Sequence, residues 1–146
     1  ERSFLYAIAA ILTLIHDVLL VMGIFIILSL IIGSQVNSIF IVGILTVIGY
    51  SVNDTIVIFD RIRENQILNR SREFFDTVNK SVKESITRSL GTSITTSTVI
   101  LSMLLFGGQS LRDFLIVLLL GVIIGTYSSI FVASNLLILW RYGPKK

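Results

Sequence analysis

The sequence has no cysteine among its 146 residues, and only 14% of those residues carry a charged side chain. Without cysteine there is no disulfide framework, no thiolate chemistry and no cysteine-based metal site. The shortage of charge excludes an ordinary soluble domain, because a soluble core of this size needs a polar surface to cover it. The sequence also lacks a Walker loop, a nucleophilic triad and a cluster of metal ligands. We therefore expect neither an enzyme nor a protein that binds a cofactor, a metal ion or nucleic acid.

Apolar residues are abundant instead: they make up 53% of the sequence, and the mean hydropathy is +0.89. They fall into four long segments, at 4–32, 37–60, 85–106 and 111–140. Each is long enough to cross about 30 Å of hydrocarbon, which takes roughly 20 helical residues. The short polar links at 33–37 and 106–110 join neighbouring segments into helical hairpins. The sequence therefore predicts an all-α polytopic membrane protein with four transmembrane helices in a lipid bilayer.

The charged link at 61–84, between the second and third segments, has an amphipathic pattern. Read as a helix, it places Phe74, Phe75, Val78 and Val82 on one side and most of its charged residues elsewhere. This pattern is typical of a helix that lies on the membrane surface. Such a helix is either a connector that rests on the lipid headgroups or a gate or docking element. We favour the connector.

The positions of lysine and arginine predict the orientation of the chain. Only Arg112 falls on one side of the predicted spans. The other basic residues lie on the opposite side or at its edge, namely Arg2, Arg61, Arg63, Arg70, Arg72, Lys80, Lys83, Arg88, Arg141, Lys145 and Lys146. The positive-inside rule puts that richer side in the cytoplasm, so we expect both termini and the link at 61–84 to be cytoplasmic. Trp140 and Tyr142 suit the aromatic belt at the same interface.

Small residues form a stripe along the fourth segment. Gly121 and Gly125 make a GxxxG pair, and the stripe continues through Ser128, Ser129, Ala133 and Ser134. Such stripes let helix backbones approach each other closely in lipid. The stripe is a weak indication of dimerisation, and we favour packing against other helices of the same assembly.

Asp54 is the most informative residue, because an ionisable group in hydrocarbon costs at least about 2.5–3.5 kcal/mol on insertion scales. It lies about six residues from the end of the second segment, which puts it on the order of 9 Å below the interface at 1.5 Å rise per residue. A short side chain at that depth needs a partner, a proton or a wet cavity. A carboxyl group that loads and unloads protons is typical of a proton-coupled transporter. The alternative is a permanently neutral side chain that joins two helices through a hydrogen bond.

Arg88, near the start of the third segment, is the natural counter-ion for Asp54, and Thr92 follows one helical turn later on the same face. Arg88 is equally consistent with a side chain that reaches up to the headgroups. His16 and Asp17 are adjacent near the middle of the first segment, so at most one of them faces any single partner. We expect a structural role for His16. Asp17 either joins a proton path with Asp54 or holds two helices together.

Several motifs resemble one family over nearly the whole chain. The run GYSVNDTIVIFDRIREN at 49–65 is long and specific, and it is similar to a membrane-span motif of the SecF branch of the SecD/SecF family. The runs at 14–18 (LIHDV), 106–108 (FGG) and 121–134 agree with the same family. These are protein-export membrane proteins of the resistance-nodulation-division superfamily.

The resemblance implies a role for each candidate residue and a place for each helix. It implies that Asp54 is the proton-translocating aspartate and that Arg88 and Thr92 are its partners. It implies that the four helices are spans three to six of a six-span bundle of the resistance-nodulation-division type. The first span, a large outer domain and the second span are then expected upstream of Glu1. Because no basic stretch precedes the first apolar segment, we also expect no signal peptide and a fragment or a processed chain.

The resemblance also implies partners and a location. The expected partners are a SecD-like subunit, a SecYEG-type translocon and the exported polypeptide, and the expected location is the bacterial plasma (inner) membrane. The implied function is to use the proton gradient to assist translocation of secreted proteins. Two alternatives stay open: a small-molecule or lipid exporter of the same superfamily, and a non-transporting scaffold that stabilises a translocon.

Overall fold

The computed structural model describes residues 2–33, 36–69, 71 and 73–142, and these residues contain helices and turns but no strand. The all-α prediction is confirmed. Within these residues, four helical stretches are long and apolar enough to cross a membrane: Phe4–Ile32, Ser38–Leu68, Phe74–Phe106 and Gln109–Arg141. Some predicted interface residues lie outside what the structure describes: Arg70, Arg72, Lys145 and Lys146, and the side chains of Arg2 and Tyr142.

The helices follow one another with short connections. They are α1 (Arg2–Ile32), α2 (Ser38–Leu68), α3 (Phe74–Phe106), a 3-10 turn (Gln109–Leu111), α4 (Arg112–Ser128), a π-helical turn (Ser129–Ala133) and α5 (Ser134–Tyr142). The last four elements form one continuous path, which we call the fourth span. Its π turn, at Ser129–Ala133, is of a kind that recurs at functional sites in helices.

Both predicted hairpin links fall between helix ends. Gly33 follows α1 with φ +74°, the left-handed conformation that glycine adopts without steric cost. Ser34 and Gln35 of this link lie outside the described residues. Asn37 then caps α2, because its side chain accepts a hydrogen bond of 3.0 Å from the backbone N–H of Phe40. At the other link, α3 ends at Phe106 and Gly107 donates its backbone N–H to the carbonyl of Met103.

The charged link at 61–84 is not a separate surface helix. Helix α2 continues to Leu68 and α3 already begins at Phe74, so the link consists mainly of the ends of these two helices. The apolar side predicted to face the headgroups is partly in the protein core instead, because Phe74 and Val78 are buried against α2 and the end of the fourth span. Phe75 does face outwards. The amphipathic pattern was correct, but it covers an apolar protein surface.

The fourth span is the centre of the bundle. It packs against α1, α2 and α3, whereas α2 also contacts both α1 and α3. Its small residues make this possible: a Cβ added at Gly121 would meet the side chain of Val47, and one added at Gly125 would lie 3.4 Å from the Cβ of Ser51. The preferred interpretation of the stripe is confirmed within this chain, because the stripe seats the fourth span on α2.

Apolar clusters occupy the two ends of the bundle. We call the end that carries Arg61, Lys80, Lys83 and Arg141 the basic end. Its cluster contains Ala9, Ile58, Phe59, Ile62, Phe74, Val78, Ile130, Ala133 and Leu137. Towards the opposite end lie Val21, Phe25, Phe40, Val47, Val117 and Ile124, together with Ile100, Leu115 and Val122. Between these clusters, along all four spans, the buried side chains are polar.

Candidate functional site

The polar layer between the apolar clusters holds both of the carboxyl groups, Asp17 and Asp54, that the sequence places inside the spans. We call it the hydroxyl layer; its members are Asp17 of α1, Ser51 and Asp54 of α2, Ser89 and Ser93 of α3, and Thr126, Ser128 and Ser129 of the fourth span. Serine and threonine hydroxyls can each donate one hydrogen bond and accept others. The layer therefore consists of side chains that can change the direction in which they donate a hydrogen bond.

Asp54 is half-buried, and two helices supply its hydrogen bonds. Ser89 of α3 donates to Oδ1 at 3.0 Å, and Ser129 of the fourth span donates to Oδ2 at 2.6 Å. The carboxyl group thus joins α2 to both α3 and the fourth span. Among the described residues, no lysine or arginine forms an ion pair with it.

Asp17 is more deeply enclosed, with none of its surface exposed. Its Oδ2 accepts hydrogen bonds from Ser51 of α2 and from Ser128 of the fourth span, the latter at 2.6 Å. Its Oδ1 lies 3.0 Å from Nδ1 of His16, whose side chain is 37% exposed. The carboxyl group therefore has three partners on three elements, and only the histidine among them can carry a charge.

The two serine hydroxyls of the fourth span that donate to the carboxyl groups each have a second acceptor within reach. Ser129 Oγ lies 3.0 Å from the carbonyl oxygen of Thr126, and Ser128 Oγ lies 3.2 Å from that of Gly125. A hydroxyl has one proton to donate, so it serves the carboxylate when the carboxyl group is ionised. When the carboxyl group is protonated, the hydroxyl can accept from it and donate to the carbonyl instead. Both charge states of Asp17 and Asp54 therefore have hydrogen-bonding partners, but the bonds in the two states differ.

Ser93, Thr126 and Tyr50 extend the layer towards α3 without adding charge. Ser93 and Thr126 share a hydrogen bond, and the phenol oxygen of Tyr50 lies 3.2 Å from Ser93 Oγ. Thr126 also donates to the carbonyl of Val122 at 2.8 Å. These contacts hold α2, α3 and the fourth span together beside Asp54.

Arg88 and Thr92 do not contact Asp54. Ser89 takes the position that faces the carboxyl group, and Arg88, one residue away, points about 100° further round the helix. The Arg88 side chain is exposed and lines a cavity of about 520 Å³ with Val57, Asp60, Arg61, Glu64, Glu84 and Ser85. Thr92 is exposed too, and its hydroxyl donates to the carbonyl of Arg88 at 2.9 Å. The predicted direct pair of Asp54 and Arg88 is therefore not formed in this structure.

A second polar network closes the basic end of the bundle between α2 and α3. The buried amide of Asn65 donates to Ser81 Oγ and to Glu84 Oε2, each at 2.9 Å. Arg61 pairs with Glu84 and with Glu64 at 2.7 Å. These bonds fix the ends of α2 and α3 relative to each other just beyond the hydroxyl layer.

The serines that serve Asp54 and Asp17 were not recognised as site residues from the sequence. Ser128 and Ser129 were assigned only to helix packing, and Ser89 was not singled out. A usable signal exists on α3, where serines recur every four residues at 81, 85, 89 and 93 and are all buried. That spacing places them on one helix face.

Within the described part of the chain, no three histidine, aspartate or glutamate side chains lie together as metal ligands would.

A family model and the similar proteins of known name all point to the same family. The family model described as "Protein export membrane protein SecD/SecF, C-terminal" matches residues 3–143. The protein translocase subunit SecF of Thermobaculum terrenum is 47% identical over 141 residues, which cover 97% of this chain and 44% of the relative. The protein translocase subunit SecDF of Thermus thermophilus is 42% identical over 136 residues, or 93% of this chain and 18% of that one.

A solved structure agrees with the sequence relatives. The crystal structure of SecDF in a super-membrane-facing form superposes with a TM-score of 0.86 at 41% identity, covering 94% of this chain and 18% of that one. The chain spans less than half the length of the SecF relatives it matches. Since the family model covers nearly all of the sequence, the chain belongs to the SecD/SecF family of protein-export membrane proteins, whose C-terminal region it matches.

Proposed function

We propose that this chain is part of a subunit of the protein-export (Sec) machinery that uses the proton gradient to assist translocation of secreted proteins. The observation that carries the proposal is the position of Asp54. It is a carboxyl group inside a membrane bundle, with hydroxyl donors from two other helices and no fixed cation among the described residues. Membership of the SecD/SecF family supplies the process, because the relatives are named protein translocase subunits.

Asp54 acts in this proposal as the proton-loading group. In the ionised state the hydroxyls of Ser89 and Ser129 donate to it, and in the protonated state the Asp54 O–H donates to one of them. Each change of state alters the bonds that hold α2 against α3 and the fourth span. Protonation is thereby linked to helix packing, which is the coupling that a proton-driven motor needs.

Arg88 and Thr92 enter the proposal through the family resemblance. Arg88 lies next to Ser89 on α3, so the approach of the guanidinium to Asp54 exchanges the hydrogen bond from Ser89 for a charged contact. An ionised Asp54 favours that exchange by charge attraction, and a protonated one releases it. The charged cavity around Arg88 is the side from which the guanidinium arrives.

The partner that we propose is a SecD-like subunit. The exposed face of α3 carries Thr92, Thr95, Thr98 and Ser102, and each of these hydroxyls donates to its own helix. Small residues with internally satisfied hydroxyls allow another helix to approach closely in the bilayer. The SecDF relative from Thermus thermophilus, whose name joins the two subunits, supports the same partner. A SecYEG-type translocon and the exported polypeptide are proposed from the family alone.

The proposed setting is the bacterial inner membrane with the basic end in the cytoplasm. Arg61, Lys80, Lys83 and Arg141 all lie at the basic end, and Trp140 is exposed there. We propose the same side for both termini, because Ala9 near the start of α1 and Leu137 of α5 share the apolar cluster of the basic end. The positive-inside rule supports this orientation.

The proposal is tested by replacing Asp54 with asparagine in the complete complex and measuring export that depends on the proton gradient. Asparagine keeps the size and much of the hydrogen bonding but cannot exchange a proton. We expect gradient-dependent export to be lost while the amount of assembled complex stays normal. The matched control is Asp76→Asn at an exposed carboxyl group in the first turn of α3, outside the cavity around Arg88, which should export normally. Undiminished export by the Asp54→Asn complex would contradict the proposal.

A scaffold is the second candidate, because both carboxyl groups also tie helices together. Asp54 bridges α2, α3 and the fourth span, and Asp17 bridges α1, α2 and the fourth span. If this is their whole role, Asp54→Asn should keep both stability and export, whereas Asp54→Leu should lower stability. If Asp54 carries protons, Asp54→Asn should keep stability but lose export.

A further inference from the structure

Two adjacent serines on the fourth span hold the two buried carboxyl groups. Ser128 donates to Asp17 and Ser129 donates to Asp54, both at 2.6 Å. Because neighbouring residues on a helix point about 100° apart, the pair reaches into two different crevices of the bundle. The crevice of Ser128 lies towards α1, and that of Ser129 lies towards α3. A single dipeptide is therefore in contact with both groups.

The backbone around the two serines links their alternative hydrogen bonds. The N–H of Ser129 is shared between the carbonyl oxygens of Gly125 and Thr126. These are the same two oxygens that serve as second acceptors, Gly125 for the hydroxyl of Ser128 and Thr126 for the hydroxyl of Ser129. The π turn begins at Ser129, so the backbone here departs from regular α geometry. The hydroxyls of Ser128 and Ser129 thus each compete with the N–H of Ser129 for a carbonyl acceptor.

We propose that Asp17 is a second proton-binding group and that Asp17 and Asp54 bind protons in alternation, coupled through Ser128 and Ser129. The inference rests on the proposed function, since it takes Asp54 as a group that loads protons. It adds a second site, a coupling path and the sign of the coupling.

The sign follows from the order of the hydrogen bonds. When Asp54 takes up a proton from water, its new O–H donates to Ser129 Oγ, and the Ser129 hydroxyl turns to the carbonyl of Thr126. The shared N–H of Ser129 then moves towards Gly125. Its arrival disfavours the bond from the Ser128 hydroxyl to Gly125, so that hydroxyl stays on Asp17. A donated hydrogen bond stabilises the ionised carboxylate, so protonation of Asp54 favours an ionised Asp17.

The reverse sequence holds from the other side. A protonated Asp17 turns the Ser128 hydroxyl to Gly125, which moves the shared N–H to Thr126 and keeps the Ser129 hydroxyl on Asp54. The groups that face Asp17 are His16 of its own helix, Ser51 of α2 and Ser128 of the fourth span. Among the described residues that hydrogen-bond to either carboxyl group, His16 alone can titrate.

The experiment is an infrared titration of the complete complex. The carboxyl band of Asp54 is obtained by subtracting the spectrum of Asp54→Asn from that of the wild type. Asp17→Asn mimics a permanently neutral Asp17 and should keep Ser129 on Asp54. We therefore expect the pH of half-protonation of Asp54 to fall by about 0.5 to 1 pH unit, the size of one hydrogen bond. Linkage requires an equal shift in the Asp17 band when Asp54→Asn is made. The reciprocal measurement also covers the case in which Asp17→Asn fails to assemble.

Two further variants test the path. In a Ser128→Ala background, Asp17→Asn should no longer shift the Asp54 midpoint, because the route through Gly125 is cut. Ser134→Ala is the matched control: this buried serine of the same span donates to the carbonyl of Ile130, and its loss should leave the midpoint unchanged.

An unchanged or higher midpoint in Asp17→Asn overturns the coupling, and so does a shift that persists without Ser128. If Asp54 titrates but its midpoint does not change in Asp17→Asn, the coupling alone fails and the proposed function stands. If the Asp54 band never titrates, both fail.

Discussion

The close approach of the fourth span to α2 gives a quantitative prediction for Gly121→Ala. An added Cβ would lie 2.6 Å from Cγ1 and 2.8 Å from Cβ of Val47, in addition to its contact with Cγ2. Val47 is fully buried, and a valine in a helix has one strongly preferred rotamer. Because Cβ itself is too close, no rotamer of Val47 relieves the clash and the two helices must separate. Overpacking of this kind costs about 1–3 kcal/mol.

Alanine also favours a helix over glycine by up to about 1 kcal/mol, which partly offsets the clash. The matched control is therefore Gly49→Ala on α2, where an added Cβ meets nothing within 4 Å. The free energy of unfolding, measured for the full-length subunit in detergent micelles by titration with SDS, should fall for Gly121→Ala. It should stay constant or rise for Gly49→Ala. Because the gain from alanine is common to both variants, we expect them to differ by the cost of the clash, about 1–3 kcal/mol.

A double variant separates the clash from other causes. Val47→Ala removes both γ carbons and leaves only the Cβ contact at 2.8 Å, so Gly121→Ala should cost less in that background than in the wild type. Equal stability of Gly121→Ala and Gly49→Ala would refute the packing of α2 on the fourth span. An undiminished cost in the Val47→Ala background would refute the assignment of the clash to Val47.

Three more variants test the other parts of the structure. Asn65→Ala should lower stability by about 1–3 kcal/mol, because Asn65 is a buried donor to two acceptors, while exposed Asn79→Ala should not; equal effects would argue against the network at the basic end. Phe74→Ala should cost about 3–5 kcal/mol and Phe75→Ala about 1 kcal/mol or less. A larger loss for Phe75→Ala than for Phe74→Ala would contradict this packing and support a link that lies on the membrane surface. Arg88→Leu should reduce gradient-dependent export without lowering the melting temperature, and a less stable protein would reveal a structural role instead.

The four spans could be predicted from the sequence because the requirement to cross hydrocarbon is a strong and local one. An apolar run of some 20 residues has few alternatives to a membrane helix, and the first one was predicted to end at residue 32, where α1 ends. The sequence could not show that α2 and α3 continue beyond the membrane boundaries. Polar residues are compatible with a helix or a loop, and the long helices depend on tertiary contacts such as those of Asn65 and Phe74.

The two aspartates inside the spans could be predicted for a similar reason, since a carboxyl group in an apolar run is costly. Their hydrogen-bonding partners could not. Serine is common both in tightly packed helix contacts and in sites, so Ser128 and Ser129 supported either interpretation. Which of Arg88 and Ser89 faces Asp54 depends on the rotation of α3. That rotation is set by the packing of its serine face and is not a local property.

The central claim is that Asp54 carries protons that drive the complex. The most direct test is proton flux into proteoliposomes that contain the complete complex and a translocating substrate, measured with a pH-sensitive dye. We predict that substrate-dependent flux is lost in Asp54→Asn and kept in Asp76→Asn, with both complexes assembled to wild-type levels. Wild-type flux through the Asp54→Asn complex would contradict the account and leave Asp54 as a bond between helices.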